Sequence, residues 1–132
     1  MHAVWRTAVY VWTLPTTAVG LALVPLALVT RGRARLVAGV LEVHGGAASW
    51  FLRRCTPRAG GAQAMTLGHV VLGTSAAALD ATRRHERVHV RQAECWGPLF
   101  IPAYLLASLW ALLRGRDLYR GNWFERAAFD RS

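Results

Sequence analysis

Between Arg6 and Arg31 the chain carries no charged residue. As an α-helix that interval of 24 residues would extend about 36 Å, enough to cross a bilayer. Trp5, Tyr10 and Trp12 stand near its start, where amphipathic rings favour a membrane interface. A cleaved signal peptide is the competing reading, but the run is long for such a segment and no small-residue cleavage site precedes Arg31. A membrane helix is expected, and Pro15 and Pro25 would kink it or break it into a hairpin. Arg31, Arg33 and Arg35 follow at once, so the positive-inside rule places the rest of the chain on the cytoplasmic side.

That segment leaves little for a core. The sequence has 132 residues, room for one compact domain after the anchor. The expected division is a membrane anchor over 1–35 and a metal-binding domain over 36–132. A net charge of +9 would ordinarily raise nucleic acid as a partner. The arginines instead cluster beside apolar runs without a nucleic-acid motif, which suits a lipid bilayer and argues against nucleic acid. Cys55 and Cys95 are too few for a disulfide scaffold and fit a reducing compartment.

From Leu36 to Gly73 apolar and β-branched residues alternate with the glycine pairs Gly45–Gly46 and Gly60–Gly61. Leu36–Val43, Trp50–Arg54 and Met65–Leu72 are expected to be short strands of a small antiparallel sheet. In the last of them Met65, Leu67, His69 and Val71 would share a face. Thr74 or Ser75 can cap a helix that ends at Gly97 and Pro98. At 100° per residue its Asp80, Arg83, Arg84, Arg87, Arg91 and Glu94 fall within an arc of about 100°, and His85, His89 and Gln92 lie opposite. The arginine stripe then reads as a solvated face paired with Asp80 and Glu94, or as a contact for anionic lipid. Leu99–Leu113 would be about 22 Å long as a helix, too short to span, and belongs in the core or the interface. A short helix is expected from about Asn122.

The metal helix carries the chemistry. His85, Glu86 and His89 form an HExxH pattern, in which histidines four apart lie one above the other and can reach one metal ion. Glu86 sits about 100° round the helix, where a general base can take a proton from a water that the metal activates. Two histidines do not complete a catalytic zinc site, which needs three protein ligands and one open position. Glu94 points outward on the same helix, and Cys95 would need a chain reversal where Gln92 stands. Asp117, Glu125 and Asp130 remain as carboxylates C-terminal to the motif, and Glu125, in NWFERAAFD, is the best candidate. It also stands three residues after Asn122, so a capping role at the helix start competes with ligation.

HERVHVRQ, a proline-broken apolar segment and then NWFERAAFD make the chain resemble the gluzincin-type zinc metallopeptidases and a group of small bacterial membrane-associated HExxH proteins. The resemblance covers approximately Met65 to Asp130. It implies His85, His89 and Glu125 as ligands of Zn²⁺ and Glu86 as the base. It also implies a minimal zincin-like α+β fold, with a membrane helix or hairpin, a sheet on the HExxH helix, an apolar helix and a short C-terminal helix. Larger gluzincins carry an orienting aspartate four residues after the ligand glutamate; Phe129 stands there, with Asp130 one position late. Gln92 could support a ligand. His69, Tyr104, Tyr119 and Arg120 are candidate substrate contacts, against the plainer reading of locally satisfied side chains.

The expected activity is that of a membrane-associated zinc hydrolase acting on a peptide or protein substrate, with Glu86 as general base. A non-catalytic metal-binding or regulatory membrane protein is the alternative from another class, and a zincin acting on a non-peptide amide is the third. Whether so small a domain completes its cleft with a protein partner or a second copy is left open.

Overall fold

The computed structural model describes residues 2–55, 62–117 and 119–131. In chain order the elements are α1 (His2–Val29), β1 (Arg33–Val37), β2 (Val40–His44), α2 (Gly46–Arg54), β3 (Ala64–Leu67), β4 (Val70–Gly73), α3 (Ala76–Trp96), α4 (Phe100–Leu113) and α5 (Trp123–Arg131). A 3-10 turn, Gly97–Leu99, joins α3 to α4. The fold is α+β, and its four strands run in the order β1-β2-β4-β3.

The sheet is mixed, where an antiparallel one is expected from the sequence: β1–β2 and β3–β4 are antiparallel hairpins, but β2 and β4 pair in parallel through Leu41–Val70 and Val43–Leu72. Each of the two long strands expected from the sequence is a hairpin. Ala38 and Gly39, both at positive φ, turn the chain between β1 and β2, and Gly68 at φ 67° does so between β3 and β4. His69 therefore sits in a turn and does not share a strand face with Met65 and Leu67. The expected strand at Trp50–Arg54 is the end of α2. No residue from Gly46 to Arg54 is β-branched, and the buried Ala48 and Leu52 are four apart, the helical spacing of an inward face. The expected turn at Gly60–Gly61 lies outside the described residues.

Alternation along β2 and β4 separates two cores. Val43, Val70 and Leu72 pack with Ala48 and Leu52 of α2 and Ala27 of α1, whereas Val40 and Val71 face Leu79 and Val90 of α3. The sheet thus stands between α1 with α2 on one side and α3 on the other. Ser75 starts α3 by accepting a hydrogen bond from Ala78 N at 3.0 Å.

Despite Pro15 and Pro25, α1 is one uninterrupted helix of 28 residues, about 42 Å long, and not a hairpin. A stripe of small residues, Thr13, Thr16, Thr17, Gly20 and Ala27, lets the rest of the protein approach its axis. At Gly68 a Cβ would lie 2.6 Å from Thr17 N, so this turn admits no side chain. Thr16 Oγ1 donates to Gly97 O at 2.9 Å. The opposite face of α1 is exposed and apolar, including Val4, Val11, Leu14 and Leu28. Two helical stretches, Val4–Val29 and Ala76–Leu113, are long and apolar enough to cross a membrane by length and composition. Within the second, all seven charged residues lie between Asp80 and Glu94, so α3 is no hydrocarbon-spanning segment and α4 is the apolar part.

Glu42 of β2 faces α3 and is 2 % exposed. Arg83 grips it through two hydrogen bonds of 2.8 and 2.9 Å, and Arg87 adds a third at 2.9 Å. The arginine stripe is thus anchored to the sheet as well as to Asp80. The Arg83 hydrogen bond, opposed by burial, holds the Glu42 carboxyl below its ordinary 4.5. Its contribution to stability is therefore present above about that pH and lost as pH falls below it. Glu42→Ala should cost about 2–3 kcal/mol in urea unfolding at pH 7, below the full penalty for splitting a buried pair because both guanidinium groups reach solvent. A loss under 0.5 kcal/mol would mean that the three groups pair without holding α3 to the sheet.

Candidate metal centre

One turn of α3 and the first turn of α5 supply three side chains that meet at one point. His85 Nε2 lies 2.9 Å from Glu125 Oε1, His89 Nε2 lies 3.0 Å from the same oxygen, and the two Nε2 atoms are 3.2 Å apart. A tetrahedral ion with bonds of 2.0–2.1 Å holds neighbouring donors about 3.3 Å apart, slightly wider than this triangle. The three residues form a largely buried group that can hold a metal ion.

The surroundings fix the donors. Gln92 Nε2 donates to Phe124 O at 3.0 Å, so its Oε1 faces His89 Nδ1 at 2.8 Å and must accept. That places the His89 proton on Nδ1 and leaves the Nε2 lone pair toward the cluster when the ring is neutral. On α5 Asn122 is the cap, its Oδ1 accepting from Phe124 N at 2.8 Å, and its own N–H donates to Tyr119 O at 3.2 Å in place of the Glu125 side chain. Asn122 also donates to Tyr104 O and Ser108 Oγ at 2.9 and 2.7 Å, tying α5 alongside α4. Glu125 is thereby free of the helix start, and Tyr104 Oη donates to its second oxygen. α5 packs against both α3 and α4, which brings Glu125 to the two histidines.

Glu86 is 5 % exposed, and its Oε2 accepts from Thr66 Oγ1 of β3 at 2.7 Å. Burial, the largest influence, pushes its carboxyl up, while the charge of His89 and the Thr66 hydrogen bond pull it down. Glu125 has the reverse balance: burial raises it, but hydrogen bonds from His85 and His89 prevail and hold it at about 2. Burial lowers His89, the Glu125 hydrogen bond and the Glu86 charge outweigh this, and the ring is raised to about 8. A metal ion held by these three donors would need both Nε2 atoms free of protons, so its binding would release any proton held there. Glu86, His89, Tyr104 and Glu125 open onto one cavity of about 290 Å³, whose other walls include Met65, Phe100 and Leu105.

The remaining residues divide. Tyr119 lines the same cavity. His69 does not reach the centre: it sits in the β3–β4 turn with Nε2 2.8 Å from Glu94 Oε2, so Glu94 pairs with a histidine and not with the arginine stripe. Asp130 is exposed and, among the described residues, makes no hydrogen bond to the cluster. Phe129 packs instead against the His85 ring, with centroids 4.4 Å apart. Arg120 lies over Phe129, and Cys95 is exposed. Thr66 has a role that the sequence reading missed, and it carries no motif; Asn122 caps α5 where the sequence places the helix start, and its ties to Tyr104 and Ser108 are the part without a sequence signal. Comparison with protein-family models, with curated proteins and with solved structures finds no match for this chain.

Proposed function

We propose that this chain is a membrane-associated, zinc-dependent hydrolase of amide bonds, with peptides or proteins as its substrates. The observation that carries the reading is the convergence of His85, His89 and Glu125 on one point at the wall of a cavity that Glu86 shares. Two imidazole nitrogens and a carboxylate oxygen are a donor set that suits zinc, and a catalytic site of that kind would leave a fourth position for water. The resemblance to gluzincin-type peptidases, with its zincin-like arrangement of sheet, HExxH helix and later glutamate, supports the same residues in the same roles.

Zn²⁺ held there would polarise a scissile carbonyl and lower the pKa of a water toward about 7. Glu86 would take the proton of the attacking water and deliver it to the leaving amine, so that acid and amine leave with one water consumed. Thr66 holds one oxygen of that carboxylate in place during both transfers. Gln92 and Tyr104 orient His89 and Glu125. The exposed apolar faces of α1 and α4 support association with a bilayer.

Full-length protein in neutral detergent should hold about one zinc per chain by plasma mass spectrometry, and hydrolysis of a quenched peptide library should vanish with a chelator and return with zinc. Zinc at that level with no turnover of any peptide or non-peptide amide would favour a metal-binding protein without catalysis. Turnover confined to non-peptide amides would move the substrate class and leave the chemistry standing.

A further inference from the structure

On the side of α3 away from the metal centre lies a second cavity of about 810 Å³, between the start of α1, the β1–β2 turn and the arginine face of α3. Arg6, Arg83, Arg84, Arg87, Arg91 and Arg131 line it, against Glu94 alone among carboxylates. The volume is within the roughly 300–1,000 Å³ common for ligand sites.

The cations are not equally engaged. Arg83 and Arg87 are held by Glu42, as described above, and Arg87 also reaches Val37 O at 3.1 Å. Glu94 is occupied by His69, over whose ring Tyr10 stacks with centroids 4.0 Å apart. That leaves Arg6, Arg84, Arg91 and Arg131 without an ion-pair partner among the described residues, and the first three stand together beside the start of α1 and on α3. Arg84 and Arg91 are seven apart on one face of α3, about 10.5 Å along the axis, with Arg87 between them. Several unpaired guanidinium groups around one hollow repel one another, so an anion there lowers the energy of the fold as well as binding.

The position selects the anion. Trp5 forms part of the wall and is 70 % exposed, and the outward face of α1 continues from it through Val4, Val11 and Trp12. A guanidinium cluster beside an exposed apolar strip at the end of a bilayer-length helix matches a molecule with a phosphate at one end and hydrocarbon at the other. We infer that this groove binds the headgroup of an anionic phospholipid, its phosphodiester among Arg6, Arg84 and Arg91 and its acyl chains along the outer face of α1. The inference is independent of the hydrolase reading, because none of these residues touches the metal centre.

The test is lipid retention by the full chain, released from neutral detergent and read by native mass spectrometry after mixing with phosphatidylglycerol or phosphatidylcholine. One phosphatidylglycerol should be retained in preference to phosphatidylcholine. Arg84→Gln with Arg91→Gln should weaken retention about thirtyfold, at roughly one order of magnitude or less per cation, while Arg53→Gln with Arg116→Gln removes equal charge elsewhere and leaves it unchanged. Should the double variant lose its fold by circular dichroism, Arg6→Gln reads the same groove from α1 and should weaken retention about fivefold. Equal retention of the two lipids, or equal loss in the control variant, overturns the site. Displacement of phosphatidylglycerol by an equal concentration of inorganic phosphate overturns the lipid assignment, because the chains would then contribute nothing.

Discussion

Glu86→Gln should leave the zinc content of the protein unchanged and lower kcat for amide hydrolysis by about 10²–10⁴-fold, the usual contribution of a positioned general base. The substitution is nearly isosteric. Thr66 Oγ1 can still donate to the amide oxygen, so the contact between β3 and α3 survives. The ring nitrogens of His85 and His89 are untouched, and the neutral amide removes a buried carboxyl whose charge burial disfavours. What is lost is proton acceptance alone, and the loss should appear in kcat with KM little altered. Glu86→Ala is the weaker experiment, since it strands the Thr66 hydroxyl beside a void. Undiminished turnover in a zinc-loaded Glu86→Gln protein would remove Glu86 from the chemistry. Zinc and turnover falling together would make it a structural residue.

How far the sequence discloses this arrangement differs from residue to residue. The spacing of His85 and His89 declares a shared helical face, because four residues make nearly one turn whatever the helix packs against. The inward orientation of that face follows from the charges opposite, and the buried Glu86, His89 and Gln92 occupy it. Glu125 was reachable only through the resemblance that NWFERAAFD carries, since elimination left Asp117 and Asp130 beside it and ligation from another helix depends on a return of the chain. The mixed sheet was not legible. Ala38–Gly39 and Gly68–His69 lack the asparagine or aspartate that usually marks a two-residue hairpin turn, so each hairpin reads as one strand. Parallel pairing of β2 with β4 depends on α2 filling the crossover, and Trp50 and Phe51 there suggest a strand when their neighbours are ignored. Nor does the uncharged run show that α1 is packed along its length. Its small residues at helical spacing were the available signal, and hydropathy outweighs them. Glu42 is the sharpest case: a lone glutamate in an apolar strand reads as solvent-facing, yet Arg83 and Arg87 lie across from it only once α3 covers the sheet.

Glu125→Gln should weaken zinc binding by more than about 100-fold, beyond the 10–100-fold usual for groups that merely support a ligand. The amide keeps the shape of the carboxylate, and its oxygen can still accept from Tyr104, so α5 has no steric reason to move. It removes the negative charge that His85 and His89 now share, and a neutral amide is a poor donor to a divalent ion. Two measurements separate ligation from packing. Competition against a chromophoric chelator gives the affinity. Thermal unfolding with and without zinc gives the linkage: at a free zinc concentration 100 times the wild-type Kd, the wild type should gain about 2.7 kcal/mol and the variant almost nothing. A packing role alone predicts the opposite pattern, with lower stability in the absence of metal and an unchanged increment when zinc is added. Equal affinity in the two proteins would mean that the triangle of His85, His89 and Glu125 is a hydrogen-bonded pair of rings on a carboxylate, and the hydrolase reading would fall with its metal.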